Sequence, residues 1–234
     1  MVDPDGRSGE PVIDHRNKTI TITSNITFYG ADGSSDLATK SASNIQNQWN
    51  AANGKVSIGG AEYSVNFVVN GVYDNNVSSS TITNNTDIKN NYIKIVASGI
   101  DVSYMDGAGS NTGEFLVKNI NQANSTTESH EFGHGYGLDH PQNTDLRSPA
   151  GSTTTADAPG IMYPRGTAVD APYTYKPANG STTVDPATGA RTNTVNPTTR
   201  KVNQQDINNL GLDRVHYDTA TGKGKLGNLT NTTH

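Results

Sequence analysis

The stretch that most constrains this chain runs from His130 to His140 and spells H-E-x-x-H-x-x-G-x-x-H without a mismatch. Residues four apart on an α-helix lie about one turn along and on nearly the same face, so His130 and His134 can converge on one ion. Glu131 is rotated about 100° from the first imidazole, which sets its carboxylate beside the convergence point and not in it. A continued helix would carry His140 out of reach. The chain must therefore turn, and Gly137 can turn it, because glycine enters the left-handed region without a Cβ clash.

Three imidazoles suit a zinc ion, which takes nitrogen ligands at about 2.0–2.1 Å in a tetrahedron and keeps one position open in catalytic sites. The expected metal ligands are His130, His134 and His140, with Glu131 as the catalytic general base. The chain has six histidines; the other three, His15, His216 and His234, show no ligand spacing and read as surface residues. Upstream, Ser125-Thr126-Thr127-Glu128 fits a capping box that would start the helix. Gly133 and Gly135 within it each cost roughly 1 kcal/mol relative to alanine. Either another segment or a substrate packs closely on that face, or the helix frays there.

These residues resemble the metzincin clan of zinc endopeptidases, in which this motif is followed by a methionine-containing turn. Gly160-Ile161-Met162-Tyr163-Pro164 is similar to that turn, and the resemblance implies that Met162 forms an apolar floor beneath the histidines. Pro141 resembles the serralysin group. The Met-Tyr-Pro run resembles matrix metalloproteinases instead, as does Val202–Leu210, similar to their C-terminal helix. Serralysins and astacins carry a tyrosine ligand two positions after the Met, where this chain has Pro164, so that ligand is excluded. Tyr163, Tyr173 and Tyr175 stay candidates for a hydroxyl near the substrate oxyanion. The implied fold is α+β: a twisted, mostly parallel sheet with a backing helix and an active-site helix. A loop-rich lower lobe then ends in a C-terminal helix. The implied activity is peptide-bond hydrolysis.

A second, short resemblance lies at Val2-Asp3-Pro4-Asp5-Gly6-Arg7, which is similar to the junction ending the core of Rhs/YD-repeat proteins. It implies a C-terminal effector or toxin domain of a larger exported protein, countered by an immunity protein. Asp-Pro-Asp-Gly is also a generic turn sequence. The other readings are a secreted, extracellular bacterial endopeptidase and a zinc-stabilised module that binds peptides without cutting them.

At 234 residues, the chain suits one domain, with two lobes expected around a cleft. The expected division is a junction at 1–17, a catalytic domain at 18–222 with lobes meeting near 137, and a tail at 223–234. A net charge of -5 without a basic run argues against nucleic acid as the main partner. The resemblance implies a protein or peptide substrate, and a monomer is expected. Cysteine is absent, which excludes disulfides. No apolar stretch approaches the ~18 residues that span a bilayer, and the N-terminus lacks a signal-peptide core. The loop Asp106–Asn111 could ligate calcium through oxygens.

Alternation predicts a strand over 18–29, with a bulge where Ser24-Asn25 shifts the phase. Near-helical spacing of Leu37, Ser41, Ile45 and Trp49 predicts a helix over 34–52, stopped by Gly54. The resemblance places it on the sheet opposite the catalytic helix. Further strands are expected at 62–69, 91–97, 101–105 and 114–118. One of the last two should be the edge over the active site, and sequence order favours the first. Long Pro/Gly/Thr/Asn-rich loops follow at 141–159 and 167–200, then a helix at 199–210.

Overall fold

Thr19–Tyr29 forms the central strand β2, flanked in sequence by β1 (Glu10–Asp14) and helix α1 (Ser35–Ala51). The computed structural model describes residues 8–149, 157–175, 194–226 and 229–234. The run at 2–7 and the loop stretches 150–156 and 176–193 lie outside the described residues. After α1 come β3 (Lys55–Ile58), β4 (Ala61–Tyr73), α2 (Ser79–Thr83), β5 (Asn90–Val96), β6 (Tyr104–Met105) and β7 (Thr112–Leu116). Helices α3 (Val117–Asn121), α4 (Thr127–Gly135) and α5 (Gln204–Asn209) complete the order. The fold is α+β.

The sheet runs β3-β4-β2-β5-β7-β6, with β1 on the first half of β2. The three inner pairings, β4 with β2, β2 with β5 and β5 with β7, are parallel. The pairings that involve β1, β3 and β6 are antiparallel. Strand β6 forms the edge beside β7, at the place the sequence order favours.

No bulge interrupts β2, whose register with β4 is unbroken from Thr19 to Phe28. Ser24 keeps the inward phase of Ile20, Ile22, Ile26 and Phe28 because its hydroxyl finds a buried acceptor, the Ser8 carbonyl, at 2.8 Å. A polar residue can hold a core position when its hydrogen bond is made there.

Helix α1 starts where Ser34 caps it, the Ser34 hydroxyl accepting from the Leu37 N–H at 3.2 Å. Its buried stripe is Ala38, Ser41, Ala42, Ile45 and Trp49. The chain leaves through Asn53, at φ 46°, and not through Gly54. Gly54 serves close packing instead, since a Cβ there would lie 2.6 Å from Ile207 Cγ1. Nor does α1 lie opposite α4, the helix that carries His130 and His134. Both helices share one face of the sheet: α1 meets β4 at Gly71, where Ala42 and Phe28 also converge, while Tyr136 at the end of α4 meets Ser24 of β2. Trp49 joins the layers, its ring 5.1 Å from Phe67 and 5.2 Å from Tyr136.

Residues 10–14, expected within the junction, pair with β2 as β1. The tail pairs back in turn, with bridges from Lys223 to Val12 and from Leu226 to Gly9. The strand expected at 114–118 is shorter at its end, because Val117–Asn121 turns into α3. The C-terminal helix is shorter than 199–210: Asn203 and Asp206 form a complete capping box that begins it at Gln204.

Candidate metal centre

Helix α4 is a buried element with most of its residues packed on every side. Its start differs from the expected capping box. The Ser125 hydroxyl donates to the Glu128 carboxylate and accepts from the Thr127 N–H at 3.2 Å, in place of the reciprocal pair of a capping box. Burial raises the Glu128 carboxyl above its ordinary value. Polar side chains of α1 hold this turn from outside, with Gln48 Nε2 donating to Ser125 O at 2.7 Å and Asn44 Nδ2 at 3.0 Å. Trp49 Nε1 donates to Ser129 O at 3.2 Å and ties the middle of α4 to α1.

The end of α4 is a Schellman turn. The Leu138 N–H donates to Gly133 O at 3.0 Å, the Gly137 N–H to His134 O at 2.8 Å, and Gly137 sits at φ 88°. This turn swings Leu138 O onto the preceding imidazole, where His134 Nδ1 meets it at 2.7 Å. It also returns His140 toward α4. His140 Nε2 lies 3.1 Å from His130 Nε2 and 3.2 Å from His134 Nε2. Among the described residues these three histidines form a group whose ligand atoms all lie within 4.8 Å of one another.

The arrangement suits a cation. His130 Nδ1 lies 2.7 Å from Ile161 O, and two acceptors that close repel, so Nδ1 carries the proton and Nε2 presents a lone pair. The same reasoning fixes His134 through Leu138 O. A single proton on His140 Nε2 could bridge one of the two close Nε2 pairs, never both. A central ion serves all three, and ligands about 2.0 Å from a tetrahedral ion stand about 3.3 Å apart. Burial holds all three imidazoles below the usual histidine range. Neutral imidazole is the form that binds metal.

Two ionisable groups are coupled, half-buried Glu131 on α4 and buried Arg200. Burial pushes the Glu131 carboxyl up to about 8, while Arg200 and Arg165 pull the other way. Arg200 is buried, and its desolvation lowers it to about 9 against the support of Glu131. Arg200 Nη1 also lies 3.0 Å from His130 Nδ1. Nδ1 cannot accept from Arg200 while donating to Ile161 O. The shorter carbonyl contact decides the proton, and one of the two Nη1 hydrogens goes to Tyr163 O, also at 3.0 Å.

Met162 is buried, and its sulfur packs where a Cβ on Gly133 would stand. Gly133 is thus explained by close packing and not by fraying. Gly135 is similar, with Met105 Cε 3.1 Å from a Cβ built there. The turn holding Met162 is fixed by Asp206, whose Oδ2 accepts from the Ile161 N–H at 3.1 Å and the Asn203 N–H at 2.9 Å. Sequence reasoning missed Asp206 and Arg200. The first had a signal, since Asn203-x-x-Asp206 has capping-box spacing with Asn and Asp in place of Ser and Glu. Arg200 had none, being a lone cation in a polar loop.

Tyr163, Tyr173 and Tyr175 are half-buried. His15 Nδ1 meets Tyr63 Oη at 2.7 Å, His216 is exposed, and His234 Nε2 lies 2.8 Å from Asp106 Oδ2. Asp106 Oδ2 also accepts from the Thr112 hydroxyl.

No protein-family model matches the chain, and no curated protein does. Among solved structures, that of myroilysin is similar at a TM-score of 0.36 and 14% identity, covering 86% of this chain and 98% of the other. Likeness at that level assigns neither family nor activity. Fold and site together define an α+β protein with a three-histidine group able to hold a metal ion. No described helix is long and apolar enough to cross a membrane.

Proposed function

We propose that this chain is a zinc-dependent endopeptidase. The observation that carries the reading is the meeting of three Nε2 atoms at 3.1 and 3.2 Å, with two of the rings locked by carbonyls on Nδ1. His130, His134 and His140 would hold the ion. Zinc in such a site supplies Lewis-acid polarisation and lowers the pKa of a water molecule toward about 7.

The chain's own residues supply the rest. Glu131 takes a proton from the attacking water and passes it to the leaving amine. Neutral imidazoles keep the ligand set free of competing protons. The edge strand β6 offers main-chain groups along which an extended peptide can add.

The test is cleavage of casein or a quenched peptide by wild-type protein and by Glu131→Gln, with metal content measured on both. Loss of turnover with zinc retained supports the role of Glu131, and full activity in the variant removes it. A second reading is favoured by the run Asp3-Pro4-Asp5-Gly6: delivery as the effector part of a larger exported protein, with an immunity protein as partner. Growth arrest of a host expressing the wild-type chain but not Glu131→Gln supports that reading, and normal growth with both opposes it. Peptide capture without turnover at saturating zinc would favour a binding module.

A further inference from the structure

The triad's orientation depends on a side chain that lies far from it in sequence. Arg200 is 4% exposed, and a buried guanidinium persists only where its hydrogens are met. Its Nε donates to Thr126 Oγ1 at 3.1 Å, at the start of α4. Its Nη1 donates to Tyr163 O at 3.0 Å, in the turn that carries Met162. Pro197 O lies 3.4 Å from Nε and also accepts from the Thr126 hydroxyl. One rigid plane thus spans the helix and the turn, beside His130 Nδ1 at 3.0 Å.

We propose that Arg200 is a positioning residue for the metal centre: by joining Thr126 to Tyr163 it sets the spacing between α4 and the turn at which Ile161 O meets His130 Nδ1. That contact, at 2.7 Å, aims Nε2 at the other two imidazoles. Lysine cannot replace it, because one ammonium on a flexible stem does not hold two separated acceptors in a fixed plane. His134 is a built-in control, since its carbonyl partner Leu138 O comes from the Schellman turn and not from the segment Arg200 holds. The proposal rests on the reading of the three histidines as zinc ligands.

The test reads ring tautomers by long-range ¹H–¹⁵N NMR on metal-free protein, and zinc Kd separately. Wild-type protein is expected to show Nδ1–H on both His130 and His134. In Arg200→Met and Arg200→Lys, His130 loses its single tautomer, His134 keeps its own, and zinc Kd rises about tenfold or more. Unchanged His130 signals with unchanged Kd overturn the proposal. Equal loss at His130 and His134 overturns it too, because it marks general loosening. Should Arg200→Met fail to fold, Thr126→Val, which removes the hydroxyl that accepts from Arg200 Nε and donates to Pro197 O, is read in its place with the same expected and contrary results. Wild-type protein that binds no zinc removes the metal reading, while the tautomer comparison still decides Arg200.

Discussion

Met162 Sδ occupies the space that a Cβ on Gly133 would need, so the turn and helix α4 touch with nothing between them. Gly133→Ala sets two effects against each other. Helix propensity favours alanine by about 1 kcal/mol, while overpacking a filled site costs about 1–3 kcal/mol. Both backbones here are held by buried hydrogen bonds, so overpacking wins. The expected outcome is net destabilisation in denaturant unfolding together with weaker zinc binding. A more stable protein would contradict the contact.

Gly137 at φ 88° is the pivot that returns His140. Gly137→Ala forces a Cβ into the left-handed region at a cost of roughly 1–2 kcal/mol. The turn also carries Leu138 O, the partner of His134 Nδ1. Zinc affinity is therefore expected to fall by more than global stability alone explains, as measured by metal titration beside thermal unfolding.

Asp206 links α5 to the turn through the Asn203 and Ile161 N–H groups. Asp206→Asn leaves a single acceptor oxygen for a carboxylate site that meets the Ile161, Met162 and Asn203 N–H groups, for an expected loss of about 1.5–3 kcal/mol. Burial raises the Asp206 carboxyl despite its backbone partners. The native state then holds the proton more tightly than the unfolded chain. Its contribution is complete below the unfolded value and falls as pH rises through the native one. The stability gap between wild type and Asp206→Asn should narrow from acidic toward neutral pH in paired unfolding curves.

Metal removal should destabilise the fold, since an ion bound only by the native state adds about 4 kcal/mol at a thousand times its Kd. Chelator is expected to lower the melting temperature of wild-type protein and to leave His134→Ala unmoved. Equal sensitivity of the two proteins would contradict a site built on His134.

The three-histidine string, the helix over 35–51 and the inner strands were legible because each carries a periodic or spaced signal that local geometry enforces. The sequence could not show that Ser24 keeps the inward phase of β2, because its acceptor, Ser8 O, is sixteen residues away. The capping of α4 was misread for a related reason. Ser125 and Glu128 do meet, but the Glu128 carboxylate accepts from the Ser125 hydroxyl and from Asn44 Nδ2 on α1, a partner 84 residues away in the chain. Arg200 and the placement of α1 beside α4 belong to the same class, since tertiary contacts decide them and no period encodes them.

The most direct test of the account is the transition-metal content of wild-type protein purified without chelator, measured by elemental analysis beside His130→Ala and His140→Ala. The account predicts a single zinc ion per wild-type chain and a steep loss in both variants. A wild-type protein free of transition metal that also fails to take up added zinc would contradict it.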